Sequence, residues 1–348
     1  MPYRHDHARF TMRLRPLLTF VRTYPLHLVL GLDREATRFY KAGFLAALAA
    51  QPFAQQMARG KVDLSALCDQ LGQSEPCQEL EAWLDLGVSL GLLSRAHQRY
   101  GIRSRLARRL ILGPESWRGF FRTRTEVFHR YILETPALLG RGERLEIEDR
   151  HGELYAQSSR TVEPLLLDDV RRYAANAPSA GAVLEVGCGS GTYIHAAAKA
   201  NPSLRFVGLE PQPSIAALAR ENMRQWGLTE RVDILDTGLM EHEQPGRYDI
   251  VTLHNLIYYF PTRRRKAVLM RAQDLLKEGG LLVVTTMVRS SLPGIRAFNL
   301  WTMMNRNSGP LPSEGEVESL LSSTGLNDVR SRELIPGFWL ITAWRKEL

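Results

Sequence analysis

The chain has 348 residues, 44% of them hydrophobic and 24% charged, with a formal net charge of +8. That length suits two ordinary cores rather than one, and no apolar run reaches the ~18–20 residues that a membrane-spanning helix needs. Three cysteines (Cys68, Cys77, Cys188) show neither metal-ligand spacing nor a disulfide framework, and residues 1–7 lack the apolar core of a signal peptide, so the expectation is a reducing cytoplasm.

The charge is lopsided. Residues 1–130 hold 20 Lys and Arg against 11 Asp and Glu, whereas 131–348 is close to neutral. A basic front suits nucleic acid, an anionic surface or an acidic substrate, and it is also what a solvated arginine-rich face looks like. Within it, Leu14, Leu17, Leu18 and Val21 fall at i, i+3, i+4 and i+7. Such a stripe is expected to pack on the body of the protein or on a partner subunit. The spacing then predicts a helix over 36–50 (Phe39, Phe44, Leu45, Leu48), a short one over 62–72 ending at Gly72, and a third over 76–90 with Trp83, Leu84, Leu86, Val88 and Leu90. Residues 91–103 read as a small β-hairpin. Three helices and a hairpin make a winged-helix order. In a DNA-binding winged helix the third helix reads the groove; here the segment 75–90 holds Glu75, Glu79, Glu81 and Asp85 and no Lys or Arg. Phosphates repel such a face, so no nucleic-acid partner is expected, despite the arginines that follow at 95, 99, 103, 105, 108 and 109.

Residues 115–175 are expected to be helices linking the two halves. They include a stretch mixing aromatics with cations (Trp117, Arg118, Phe120, Phe121, Arg122, Arg124) and a polar stretch with His151, Glu153, Tyr155 and Arg160.

The stretch 183–191 organises the rest. Val183, Leu184 and Val186 read as a short buried parallel strand, and glycines follow at 187, 189 and 191 before a helix opens at Thr192. A strand, a glycine turn and a helix form a cradle at the carboxyl end of a parallel sheet, where open α/β folds bind ligands. The acid before the glycines, Glu185, suits a cationic ligand better than a pyrophosphate. Further blocks follow: a strand over 204–209 ending at Glu210, a helix over 213–226, a strand over 231–235, a strand over 248–254, and a helix end, Gly279-Gly280 turn and strand over 275–286. In a Rossmann-like fold an acid placed as Glu210 is accepts hydrogen bonds from ribose hydroxyls. Residues 290–312 are long for a loop and carry Phe298, Trp301, Met303 and Met304. Ser313 followed three residues later by Glu316 signals a helix N-terminus, and 329–334 with 338–344 predict an antiparallel pair closing the sheet.

Glu185-x-Gly187-x-Gly189-x-Gly191 with these blocks in order resembles the class I S-adenosylmethionine-dependent methyltransferases over about 176–348. The front resembles, more loosely, the winged-helix dimerisation domain of the small-molecule O-methyltransferases of specialised metabolism. The resemblance implies an α/β fold, a Rossmann-like seven-stranded core with an N-terminal mostly helical winged-helix domain. It divides the chain into a dimerisation domain (1–114), a linker lining the acceptor pocket (115–175) and a cofactor domain (176–348). S-adenosylmethionine is then the cofactor, with S-adenosylhomocysteine as product, a small organic molecule the acceptor, and a homodimer the assembly. Glu185, Gly187, Gly189, Gly191, Glu210, Asp236 and Met240 are the implied cofactor residues; Tyr155, Arg160, Tyr259 and Trp301 the acceptor residues; Tyr258, His254 and Glu153 the catalytic ones. No metal is expected.

Two departures from the family pattern stand out. Its histidine base falls nine residues after the strand-four aspartate; counted from Asp249 that place is Tyr258. A linker group or His254 then substitutes, Tyr258 itself acts, or the acceptor needs no base. A tyrosine there also occurs in a relative that methylates carbon, so oxygen and carbon both stay open. The second departure is Leu239, which stands where an acid for the adenine is usual. The arginines at 118, 122 and 160 permit an anionic acceptor. A rival reading from another class is a winged-helix regulator that senses a ligand without turnover.

Overall fold

The structure, a computed structural model, describes residues 19, 22–73, 77–146 and 152–346. The leucine and valine stripe at 14, 17, 18 and 21, Glu75 and His151 lie outside the described residues, as does the side chain of Glu153. The chain divides into two compact units, Met1–Gly113 and Pro114–Leu348.

The first unit runs α1 (Leu26–Ala49), α2 (Ala54–Arg59), β1 (Val62–Asp63), α3 (Leu64–Gln70), α4 (Gln78–Ser89), β2 (Leu93–Ala96), β3 (Arg99–Ile102) and α5 (Arg105–Leu112). β2 and β3 form an antiparallel hairpin, and β1 pairs with the other edge of β3. Helix α1 begins ten residues earlier than the apolar spacing predicted, directly after Pro25, whose fixed φ starts a helix well. Only its end is buried (Phe44, Leu45, Ala46, Leu48, Ala49), with Phe44 stacked on Trp83 at 4.3 Å between ring centroids. Gly87 lies under that Phe44 ring, where a Cβ has no room. Two of the acids of α4 are engaged: Arg95 of the hairpin bonds both Asp85 (2.7 Å) and Glu81 (2.6 Å), and Tyr100 donates to Asp85 at 2.9 Å. One expectation is corrected. Cys68 on α3 and Cys77 at the start of α4 are joined as a disulfide, with Cα atoms 6.3 Å apart. Spacing alone does not reveal this pairing.

The second unit opens with α6 (Glu115–Arg122), a π-helical turn (Thr123–Phe128), α7 (His129–Gly140), α8 (Gly152–Ser159) and α9 (Glu163–Ala175). It continues β4 (Ala182–Val186), α10 (Thr192–Ala200), β5 (Arg205–Leu209), α11 (Pro213–Gln225), β6 (Val232–Leu235), β7 (Tyr248–His254), α12 (Thr262–Leu275), β8 (Leu276–Met287), α13 (Pro293–Met304), α14 (Glu316–Ser323), β9 (Asn327–Ile335) and β10 (Phe338–Trp344). The seven strands lie in the order β6-β5-β4-β7-β8-β10-β9. All neighbours pair in parallel except β10, which runs antiparallel to β8 and β9. Near-continuous apolar runs in β4, β7 and β8 follow from helices covering both faces. One face buries Leu166, Val170, Ile194, Ala197, Ala219 and Met223 from α9, α10 and α11. The other buries Val268, Leu269, Ala272, Val317 and Leu321 from α12 and α14.

Three local outcomes differ from expectation. Gly279-Gly280 does not separate helix from strand: β8 already starts at Leu276, and pairing with β7 jumps from Tyr248↔Leu276 to Ile250↔Leu281, so the glycines form a bulge with Gly279 at φ 70°. The 290–312 segment is mostly helix. Helix α14 starts at Glu316 rather than beside Ser313, because Gly315 sits at φ 74°; even so, the Ser313 N–H and hydroxyl donate to Glu316 Oε2 at 3.0 and 3.2 Å, the reciprocal bond of a capping box.

Candidate active site

The cradle forms at the carboxyl edge of β4. Gly187, Gly189 and Gly191 all take left-handed backbone, at φ 68°, 54° and 80°. Such angles cost little only in glycine. A Cβ on Gly191 would strike Met223, so this glycine also serves packing. A Cβ on Gly189 would meet nothing within 4 Å, so it would project into open space. A cleft of about 80 Å³ opens there, lined by Glu163 of α9, by Glu185, Gly187, Gly189 and Tyr193 among others of the glycine segment, and by His254.

Two carboxylates face this cleft. Glu185 is 3% exposed, and burial, with Glu163 nearby, pushes its pKa well up. Burial also raises Glu163, against the pull of Arg160. A buried carboxylate with no cation among its described neighbours is the complement of a positively charged ligand group. Across the loop, Glu210 follows β5 and accepts the N–H of Gly189 at Oε2 and of Gln212 at Oε1, each at 3.1 Å. Each oxygen keeps a further lone pair, so the carboxylate both shapes the glycine loop and can accept from a diol. The open space over Gly189, buried Glu185 and poised Glu210 fit the adenosyl-amino acid cofactor that the glycine pattern implied.

Asp236 and Met240 stand differently. Asp236, just beyond β6, is ion-paired with Arg220 of α11, which also bonds the Ile234 carbonyl. Met240 is 50% exposed while its neighbour Leu239 is buried. Neither lines the cleft.

On the acceptor side, His254 ends β7. Its Nδ1 lies 3.2 Å from Thr285 Oγ1, its Nε2 3.3 Å from the Tyr173 hydroxyl, and Tyr193 packs against it at 4.5 Å. Burial depresses its pKa to about 3. Tyr258 and Tyr259 lie on a 3₁₀ turn after β7 (Ile257–Tyr259), with rings 5.0 Å apart. Burial raises both phenols, Tyr258 well above its usual range. Asp249, from which the base position was counted, sits at the far end of β7. It accepts from Ala182 N–H (2.7 Å) and Lys277 (2.8 Å) and ties strands together there. Tyr259 and Tyr155 both meet Trp301 of α13, at 6.0 and 5.3 Å, and Phe128 and Phe298 complete the cluster. Arg160 is engaged with Glu163 (3.6 Å) and Glu115 (4.0 Å), and Arg122 with Glu126 (2.7 Å).

Residues missed in the sequence are Glu163, Tyr173 and Asn255. The first two are ordinary positions of an amphipathic helix and carried no signal. Asn255 holds φ 55°, a strained angle outside glycine, because its N–H bonds the Thr285 carbonyl at 2.9 Å. Asparagine is the residue that tolerates it.

A family model described as a methyltransferase domain matches residues 184–282. The ubiquinone biosynthesis O-methyltransferase of Methylococcus capsulatus is 28% identical over 142 residues, 41% of this chain and 56% of that protein. The 3-hydroxy-5-methyl-1-naphthoate 3-O-methyltransferase of Streptomyces sahachiroi is 22% identical over 313 residues, 85% of this chain and 89% of that protein. Against several of its curated relatives the chain spans only about a third to somewhat over half of their length. Among solved structures, PigF with S-adenosylhomocysteine superposes with a TM-score of 0.70 at 17% identity, over 91% of this chain and 99% of that one. The match to the methyltransferase domain covers residues 184–282, and the fold of the chain is the one seen in PigF.

Proposed function

We propose that this chain, which carries a methyltransferase domain on the class I fold, moves a methyl group from S-adenosylmethionine to an oxygen of a small organic acceptor. The observation that carries the reading is the glycine cleft itself: open space over Gly189, with a buried carboxylate at Glu185 and, among the described residues, no cation to neutralise it. When bound, the cofactor supplies an electrophilic methyl on a sulfonium. The chain's part is to hold two reactants in line and keep water out. Glu185 and Glu163 meet the positive charge of the amino acid end. Glu210 takes the ribose, and Gly187 and Gly189 let the backbone approach. The naphthoate enzyme of Streptomyces, aligned over most of both chains, is named for transfer to oxygen, which supports oxygen as the methylated atom.

A general base is not part of this proposal. His254 at a pKa of about 3 holds no useful proton affinity near neutrality, and Tyr258 is a buried phenol whose proton is held more tightly than usual. On this reading the acceptor hydroxyl ionises without help from His254 or Tyr258, and His254, Tyr173 and Tyr193 position it and shape the wall. Assembly as a homodimer through the first unit belongs to the same reading. Its winged-helix-like order of helices and hairpin begins with a long α1 whose Leu26, Leu28, Leu30, Leu32, Phe39 and Tyr40 are each about half exposed, an apolar surface that suits a second copy.

The test is calorimetric titration of the purified chain with S-adenosylmethionine and S-adenosylhomocysteine, followed by transfer of labelled methyl to a panel of phenols. Micromolar binding of both ligands and label in an ether product are expected. No binding of either ligand would end the reading.

A further inference from the structure

Beside α9, the sheet face that this helix packs on opens into a groove of about 690 Å³, within the usual range of small-molecule sites. Its floor follows from strand alternation. Along β10, Leu340, Thr342 and Trp344 face the groove, while Ile341 and Ala343 between them are buried in the core of the opposite face. Along β8, Leu281 and Val283 face it, and Leu282 and Val284 turn away. Tyr173 of α9 lines one side, and Arg330 and Arg332 of β9 the other. The groove is separate from the glycine cleft. Asp249, which lines the groove, and His254, which lines the cleft, are five residues apart on β7, about 16 Å at ~3.3 Å per residue.

The rim is basic. Arg172, Arg330 and Arg332 line the groove against two carboxylates, Asp169 and Asp249. Asp249 is taken by Lys277 at 2.8 Å and by the Ala182 N–H at 2.7 Å. Asp169 is shared: Arg332 donates to both of its oxygens at 2.7 Å, and Arg172 stands 3.6 Å off. Arg330 pairs at 2.7 Å with Asp328, which does not line the groove, and its guanidinium carbon lies 5.8 Å from the centroid of the Trp344 ring. Among these described residues four cations (Arg172, Arg330, Arg332, Lys277) meet three carboxylates (Asp169, Asp249, Asp328), so one positive charge is left over. The side chains of Arg172 and Arg330 are each 71% exposed. Pairs this open contribute about 1 kcal/mol at most, so both arginines can turn to a new anion at little cost.

An apolar strand floor with a half-buried indole, under a rim with surplus positive charge, is the complement of a molecule that is apolar across its body and anionic at one edge. A neutral ring would cover the floor and leave the surplus charge unanswered. A bare inorganic anion would meet the charge and leave the floor wet. We propose that this groove is a second ligand site, and that it takes an aromatic organic anion whose ring lies on Trp344 and Leu340 and whose acidic group meets the arginine rim. The site is additional to the methyl-transfer cleft and stands without that reading.

The probes are 8-anilino-1-naphthalenesulfonate and its uncharged counterpart N-phenyl-1-naphthylamine, titrated by fluorescence and calorimetry into the full chain with and without S-adenosylhomocysteine. The sulfonate is expected to bind one-to-one, at least tenfold more tightly than the amine, and with the same affinity in both conditions. Arg172→Gln combined with Arg330→Gln brings the sulfonate down to the amine's affinity and leaves the amine unchanged. Trp344→Leu weakens both probes several-fold and removes part of the energy transfer from tryptophan to dye. Thr342→Glu, which sets a carboxylate on the floor at a half-buried position, abolishes sulfonate binding. Near-ultraviolet circular dichroism matching the wild type shows that each variant is folded. Sulfonate binding that survives both the arginine pair and Thr342→Glu puts the dye elsewhere and overturns the proposal. Equal affinity of the two probes, or displacement of the sulfonate by S-adenosylhomocysteine, overturns it as well. A wild-type dimer in sedimentation that Thr342→Glu splits would make the groove an interface between two copies, and the ligand site would fall with that result.

Discussion

Replacing Glu210 with Gln changes one oxygen to an amine and little else in shape. In the native loop Oε2 accepts from Gly189 N–H and Oε1 from Gln212 N–H, each at 3.1 Å. An amide satisfies only one of them. Its NH₂ faces the other N–H donor, which is left without a partner at a half-buried site, a cost of about 1–3 kcal/mol. Taking about 2 kcal/mol, the melting temperature of a unit of this size falls by about 4–8 °C. Cofactor binding loses more. A carboxylate that takes the ribose hydroxyls makes charge-assisted bonds of about 1.5–3 kcal/mol, and the amide retains only part of one, so affinity for S-adenosylhomocysteine drops by about 10–100-fold. Differential scanning calorimetry and titration calorimetry on the same preparation separate the two effects. Wild-type affinity in a variant whose melting point has fallen as expected would refute the ribose role and leave Glu210 as a brace for the glycine loop.

Gly189→Ala adds a Cβ that meets no protein atom but projects into the cleft at φ 54°; strain of about 1–2 kcal/mol is expected together with a loss of cofactor affinity of at least about tenfold, read by titration. Gly191→Ala instead strikes Met223 and is expected to lower the melting temperature at any cofactor concentration. His254 has a folded pKa of about 3 against ~6.5 unfolded, so the unfolded chain binds the extra proton between those values. Stability from this site is therefore full above about pH 6.5 and is lost as pH falls toward 3; His254→Asn is expected to flatten that slope in urea unfolding, and the pH-rate profile is expected to follow the acceptor's own ionisation rather than a histidine. Arg265 is fully buried, bonds Glu316 at 2.6 Å and also bonds the carbonyls of Phe260 and Pro310. Arg265→Met strands Glu316 and costs about 3–5 kcal/mol, whereas a drop under 1 kcal/mol in urea unfolding would refute the assignment of this pair as the brace of α14.

The strands and glycine turn were legible in the sequence because their signals are local. A buried parallel strand is a short apolar run, and a loop that needs positive φ shows its glycines; 183–191 states both in nine residues. Some ion pairs were equally local, since Arg122 and Glu126 are one helical turn apart. What the tertiary structure alone decided are contacts between distant segments. Cys68 and Cys77, nine residues apart, come within 6.3 Å between Cα atoms only in the folded chain. His254 looked like a base at the end of a strand, but Tyr173 from 81 residues away and Thr285 from the neighbouring strand bury it and remove its proton affinity. Asp236 looked free for the adenine until Arg220 claimed it. Arg124 resembled every other arginine of a basic front; its seat against Phe120, and the arrival of Trp301 near Phe128 from a helix some 170 residues on, are properties of the packed chain. Local periodicity determines which elements form, and charge and solvation at a site depend on which distant side chains arrive there.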